Sequence, residues 1–149
     1  MQTTSRDLET IINQHLAALK AIPESEYPIK PSPEKWSKKE ILGHLIDSAQ
    51  SNIRRFIVAQ YEDEPHILYN QDKWVAIANY QQWDIADLIN LWYLLNKQIV
   101  IILRNTPVEL YQRKCLTQEM HTIEWLAQDY VKHLLHHLHV VLNLEPFKY

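Results

Sequence analysis

TIEWLAQDYVKHLLHHLHVVLN, residues 122–143, decides how the rest of the chain is read. Leu126, Tyr130, Leu134, Leu138 and Val141 recur every three or four residues, the period of a helix with one buried face and not the period of two that marks a strand. Thr122 supplies an N-cap hydroxyl, and Pro146 lies just beyond the end, so the spacing predicts a helix from about Thr122 to about Asn143. It carries four of the eight histidines: His133, His136, His137 and His139.

Working outward, the prolines at 23, 28, 31, 33, 65, 107 and 146 mark breaks, because proline is expelled from helix interiors. Three more long proline-free segments remain. Leu8, Ile11, Ile12, Leu16 and Leu19 predict a helix over about Ser5 to Ile22. Ser37 followed by Glu40 reads as a capping box, with Trp36 placed to staple the start, and Ile41, Leu42, Leu45, Ala49, Ile53 and Phe56 carry that helix to about Tyr61. Asp84 caps a further helix through Leu88, Leu91, Trp92, Leu95, Ile99 and Ile102 to about Asn105. The connection Glu62 to Trp83 is long for a bundle and rich in Tyr, Trp and Asn, which is the mark of a loop with a function, and Asp72 to Asn79 within it predicts a short helix. No repeat or low-complexity stretch interrupts the pattern. The expected architecture is all-α, a bundle of four long helices in a single domain over residues 1–149.

Composition narrows the function classes. One glycine in 149 residues argues against β-hairpins and phosphate-cradling loops, both of which use residues that tolerate positive φ. A formal charge of −3 and a pI near 6.2 offer no basic footprint for nucleic acid. No run approaches the roughly 18 apolar residues of a membrane span, and residues 1–7 lack the basic start and apolar stretch of a secretory signal. Cys115 stands alone, so no internal disulfide forms. A cytoplasmic protein acting on small molecules, without nucleic acid or membrane as partner, is expected. Glycine-rich nucleotide motifs, Glu-x-x-His pairs and His-Glu-x-x-His helices are all absent from the sequence.

On a wheel of about 100° per residue counted from His133, the apolar face spans roughly 20° to 140°. His137 falls at about 40°, whereas His136 near 300° and His139 near 240° turn away. His133 and His137 are therefore the inward pair, either a metal-binding pair or two satisfied core histidines; imidazoles four residues apart can converge on one ion at about 2.1 Å. The second long helix contributes His44, which shares a stripe with Ser48, Ser51 and Arg55 off the centre of the apolar face. That leaves His44 either half-exposed or lining an open pocket at the mouth of the bundle. His15, His66 and His121 read as ordinary surface or loop residues, and Cys115 as a loop bystander.

With these residues in place, the chain resembles the DinB-like superfamily, in its YfiT-type branch of metal-dependent hydrolases and thiol transferases. Trp36, Ser37, Glu40, His44, Leu45 and Asp47 resemble the family's Trp-Ser start and His-Leu-x-Asp motif. Thr122, Glu124, Trp125, Leu126, Tyr130, His133, His136 and His137 resemble its last-helix signature, and Tyr69, Asn70, Gln71, Asp72 and Trp74 the segment ahead of its third long helix. The resemblance implies an up-down-down-up four-helix bundle, often a homodimer, with one divalent metal, zinc or nickel and secondarily iron, held by His44, His133 and His137.

Three neutral imidazoles leave a position open on the ion, the arrangement of catalytic zinc sites. The first expectation is a metal-dependent transferase that activates a low-molecular-weight thiol for attack on a small electrophile, with no catalytic residue separate from the metal site. The alternatives are a hydrolase using metal-bound hydroxide, or a stress-associated module that binds metal and ligand without chemistry. Asp47, one turn after His44, is placed to accept a ring proton and orient that ligand, or is a plain surface carboxylate. Asn52 and Arg55 either bind an anionic group of the thiol or form a solvated helix face. Trp92 and Trp125 either seal a dimer or belong to the core.

Overall fold

In a computed structural model that describes residues 1–147, the chain folds into α1 (Gln2–Ala21), α2 (Lys38–Val58), a short α3 (Gln71–Ala78), α4 (Ile85–Asn105) and α5 (Ile123–Val141). The caps read from the sequence are present. Ser37 Oγ accepts from the Glu40 amide at 3.1 Å while Glu40 accepts from the Ser37 amide at 2.8 Å. Asp84 and Thr122 accept from the amides three residues on, and Asn70 opens α3 in the same way. Asn79 and Asn143 stand in left-handed conformation, at φ 51° and 54°, just past α3 and α5, positions that glycine commonly takes. Asparagine at these ends is one reason the chain needs so few glycines.

Side-chain contacts fix the helix directions. Gln2 donates to the Arg104 carbonyl, Tyr93 donates to Asn13, and Glu9 pairs with Lys97 and Arg104, so α1 and α4 run antiparallel. Lys39 donates to the Gln81 carbonyl just ahead of α4, and Gln60 to Thr106 just past its end, so α2 and α4 run parallel. His44 meets His137 and Phe56 meets Tyr130, so α5 runs back along α2 and parallel to α1, with His15 facing His139 at 6.5 Å between rings. The four long helices are thus connected up-down-down-up.

Two expectations are corrected. A two-stranded antiparallel hairpin forms, β1 (Lys114–Leu116) with β2 (Met120–Thr122). Its three-residue connection turns without any residue at positive φ, so the shortage of glycine did not forbid it. The hairpin stitches the long loop to the start of α5: the Leu116 amide donates to Pro65 and its carbonyl accepts from Ile67. Cys115 is consequently a buried strand residue whose thiol donates to the Pro65 carbonyl. The second correction concerns α4, whose 21 residues and mean hydropathy of 1.3 make it long and apolar enough to cross a membrane. A count of consecutive apolar residues missed this because Asn96, Lys97 and Gln98 interrupt the run. Here the helix buries Leu88, Trp92, Ile99 and Leu103 in the bundle and pairs Lys97 and Arg104 with α1.

The core gathers Leu8, Ile12 and Leu19 of α1, Leu42, Leu45 and Phe56 of α2, Trp92 and Ile99 of α4, and Leu134 and Leu138 of α5. Trp92 is fully buried, so it does not seal a dimer, whereas Trp125 is 44% exposed. Inside this apolar packing, Asn96 donates to the Trp92 carbonyl and accepts from the Tyr130 hydroxyl at 2.7 Å, a satisfied polar tie between α4 and α5.

The single glycine sits inside α2, where glycine costs about 1 kcal/mol relative to alanine. Packing explains it: a Cβ on Gly43 would lie 2.1 Å from Cδ2 of Tyr80, whose ring rests on this turn of the helix. Gly43→Ala should therefore lower the thermal midpoint, a net loss of at least about 1 kcal/mol despite the propensity gain. In a Tyr80→Ala background the same substitution should become neutral or stabilising. A stabilised Gly43→Ala single variant would rule this account out.

Candidate metal centre

The antiparallel pairing of α2 and α5 brings His44 against His133 and His137. Ring centroids are 5.0 Å apart for His44 and His133, 4.8 Å for His44 and His137, and 4.5 Å for His133 and His137. One nitrogen from each ring lies within 4.8 Å of the others, and the Nε2 atoms of His44 and His133 are 3.1 Å apart. Ligands at about 2.1 Å from a tetrahedral or octahedral ion stand about 3.0–3.4 Å from one another. The His44–His133 separation already matches, and a nitrogen of His137 lies within 4.8 Å of both.

Their electrostatics suit ligation. Burial holds His44 down at about 3, with His133 adding to the effect. Burial likewise lowers His133 to about 4 against the opposing pull of Asp129, and lowers His137 to about 3 together with His133, His44 and His136. All three rings are neutral at ordinary pH, so an ion need not displace protons. Nδ1 of His44 and of His133 are buried without a hydrogen-bond partner. It is the facing nitrogens, one from each ring, that crowd their lone pairs toward a common point, which is costly for a core and fits a donor set built for a cation; ligation through Nε2 leaves the ring protons on these Nδ1 atoms.

The wheel left His44 open, and the structure places it 1% exposed, inside the bundle. Trp36 lies against its ring at 5.0 Å between centroids, a contact beyond the stapling role read from the sequence. Asp47 does not take a proton from His44: its Oδ1 accepts from the Tyr80 hydroxyl, Oδ2 has no partner, and His44 Nδ1 stays unpaired. Burial raises the Asp47 carboxyl to about 6 although the Tyr80 hydrogen bond pulls it down. It is no plain surface carboxylate either, at 2% exposed.

Asn52 and Arg55 are not a solvated face. Asn52 donates to the Ser48 carbonyl and accepts from Arg55 Nη1, while Arg55 Nε and Nη2 donate to the Ile67 carbonyl at 3.2 and 3.1 Å. With Tyr69, Asp129 and His133 they line a small cavity of about 120 Å³. The same Arg55, Tyr69, Asp129 and His133 also border an open polar cleft of about 1040 Å³ that runs out past Asn70 and Glu119. His121, read as an ordinary loop residue, is part of that wall, stacked on Trp125 at 3.6 Å and 8°. Its i, i+4 spacing to Trp125 was the available signal. His136 and His139 stay out of the cluster, as the wheel indicated; His139 bonds the Glu145 carbonyl.

Fold and cluster together define a helical-bundle protein with a three-histidine cluster, able to hold a metal ion, between antiparallel helices. More particularly, the chain belongs to the DinB superfamily, whose family profile matches residues 7–141. No curated protein matches the chain in sequence. Among solved structures it is similar to YfiT from Bacillus subtilis, described as a probable metal-dependent hydrolase with an unusual four-helix bundle topology, at a TM-score of 0.85 and 21% identity, over 95% of this chain and 83% of that one. It is also similar to the mycothiol-dependent maleylpyruvate isomerase, at a TM-score of 0.79 and 14% identity, over 97% of this chain but 61% of that one. A mutant of the same isomerase gives 0.79 and 13%. At these identities the likeness is one of fold.

Elemental analysis of the purified protein should find about one divalent ion per chain, lost in both His44→Ala and His133→Ala; a wild type that stays metal-free after incubation with zinc and nickel would remove the site. Metal-free protein should also lose stability in acid. Unfolded histidines take up protons below 6.5, whereas the folded rings resist until about 3 to 4, so stability falls with pH through that window. Asp47 acts oppositely between 6 and 3.8, because the folded state binds its proton first, leaving a net uptake of about two protons on unfolding there. The pH slope of the thermal midpoint should shrink by about one proton in His137→Gln, and an unchanged slope would contradict the assignment.

Proposed function

We propose that the protein is a metal-dependent transferase that joins a low-molecular-weight thiol to a small electrophile, with the ion held by His44, His133 and His137. The observation that carries this reading is the convergence of three neutral imidazoles, His44 buried and His133 and His137 half-buried, where a polar cleft bearing Arg55 meets them. Imidazole ligands accept zinc, nickel, copper and iron, and the family resemblance favours zinc or nickel, with iron second. Bound there, a divalent ion supplies the charge that lowers the pKa of a thiol or water beside it.

The chain's own residues do the rest. His133 lies at the junction of cluster and cleft, so a ligand in the cleft reaches the site past its ring. Arg55 is the cleft's cation; its hydrogen bonds reach the Ile67 carbonyl and the Asn52 amide oxygen, and the negative charge of Asp129 acts on it from nearby. His44 and Arg55, eleven residues apart, lie on one stripe of α2 about 16 Å apart along the axis. With the arginine reaching back toward the helix N-terminus, an anion on its guanidinium stands on the order of 10 Å from the cluster. That separation suits a thiol of peptide or glycoside size and is too long for free cysteine. In the transfer itself the thiol gives up its proton to solvent, sulfur forms a bond to the electrophilic carbon, and the leaving group departs with the electron pair of the broken bond.

The mycothiol dependence of one structural neighbour supports a thiol, while the description of YfiT supports hydrolysis as the second reading. In a zinc- or nickel-loaded sample, conjugation of glutathione to 1-chloro-2,4-dinitrobenzene should run above the uncatalysed rate and fall at least tenfold in His133→Ala. Arg55→Met should raise KM for glutathione several-fold and leave that for 2-mercaptoethanol, which has no acid group, little changed. Absence of conjugation with every thiol, alongside histidine-dependent hydrolysis of p-nitrophenyl acetate, would replace transfer by hydrolysis.

A further inference from the structure

On the other side of the cluster lies a second opening that the thiol does not need. The start of α2 and the loop before it form a groove of about 840 Å³ with the last two turns of α5, walled by Ile29, Pro31, Trp36, Ile41 and Val140. Its inner wall includes His137, a member of the cluster, and Trp36, whose ring lies on His44. None of its lining residues belongs to the polar cleft, which meets the cluster at His133 instead. The order follows from the antiparallel helices. Residues 36–41 of α2's approach and 137–140 of α5 make the groove, His44, His133 and His137 come next, and Ser48 to Arg55 with Asp129 make the small cavity, from which Arg55 and Asp129 lead into the cleft.

An 840 Å³ groove is large for water alone and within the range of small-molecule sites. Its walls offer aromatic and branched aliphatic surface, and Lys35 at the rim has no ion pair among the described residues, whereas Lys38 is paired with Glu26 at 3.6 Å. We propose that this groove is the subsite for the second substrate, a planar apolar electrophile with an anionic tail directed to Lys35, approaching the cluster from the side opposite the thiol. The proposal rests on the transferase reading for the word electrophile; the groove's preference for an apolar anion stands without it.

The test uses binding by the metal-free protein, so it does not depend on turnover. Titration with 1-anilinonaphthalene-8-sulfonate, followed by its fluorescence, should show one site per chain. Val140→Glu, at a position 49% exposed, should raise Kd at least tenfold, and Arg55→Met should change it less than twofold. Ile29→Asp, at a position 62% exposed, provides a second variant should the first lose its circular dichroism spectrum. Binding that is absent to millimolar probe, or unaffected by both groove variants, or weakened by Arg55→Met instead, overturns the proposal. If binding behaves as expected but no thiol is conjugated, the transferase reading fails and the groove remains. If conjugation proceeds while Val140→Glu leaves KM for the electrophile unchanged, the groove is not its subsite.

Discussion

One stripe of α2 is polar and buried, and the rest of the structure is arranged around that constraint. His44, Asp47, Ser48, Ser51 and Asn52 are all less than a tenth exposed, on a helix that meets solvent along Gln50, Arg54 and Ile57 instead. Buried polar groups are costly unless they are hydrogen-bonded. Some are: Asn52 is tied to Ser48 and Arg55, and Asp47 to Tyr80. The unsatisfied atoms of this region, His44 Nδ1, Asp47 Oδ2 and His133 Nδ1, lie on the cluster's own rings or one turn away on α2. The apolar packing of α4 against α1 and α2, with Trp92, Phe56 and the leucines, supplies the stability that such a stripe removes.

The same constraint accounts for what could and could not be read in the sequence. The long helices were legible because proline breaks, caps and apolar period agree with one another. His133 and His137 were legible because they flank an apolar face, so inward orientation follows from their angle. His44 was not, because wheel reasoning assigns a polar stripe to solvent, and on α2 the stripe faces inward; only its likeness to a family motif pointed to it. The contacts that complete the site, Trp36 on His44 and Tyr80 on Gly43 and Asp47, join residues 8 to 37 positions apart. Separations of that size carry no periodic signal. The hairpin escaped notice for a different reason: its turn uses ordinary φ angles, so composition alone could not reveal it.

Helix direction, more than any single residue, sets the chemistry available to the site. Because α5 returns antiparallel along α2, one pair of helices brings its ends and middles into register: the start of α2 with the end of α5, the middle of α2 with the middle of α5. The sequence of each helix changes character along its length, apolar at Ile41 and Val140 and polar at Asn52 and Asp129. Register converts those two gradients into one, an apolar approach on one side of the histidines and a polar approach on the other. Had α5 run parallel to α2, the apolar start of one would have met the polar start of the other, and neither approach would have a consistent character. Two approaches of opposite polarity therefore meet at rings whose centroids are 4.5 to 5.0 Å apart, so anything entering from either side is brought to the same few ångströms.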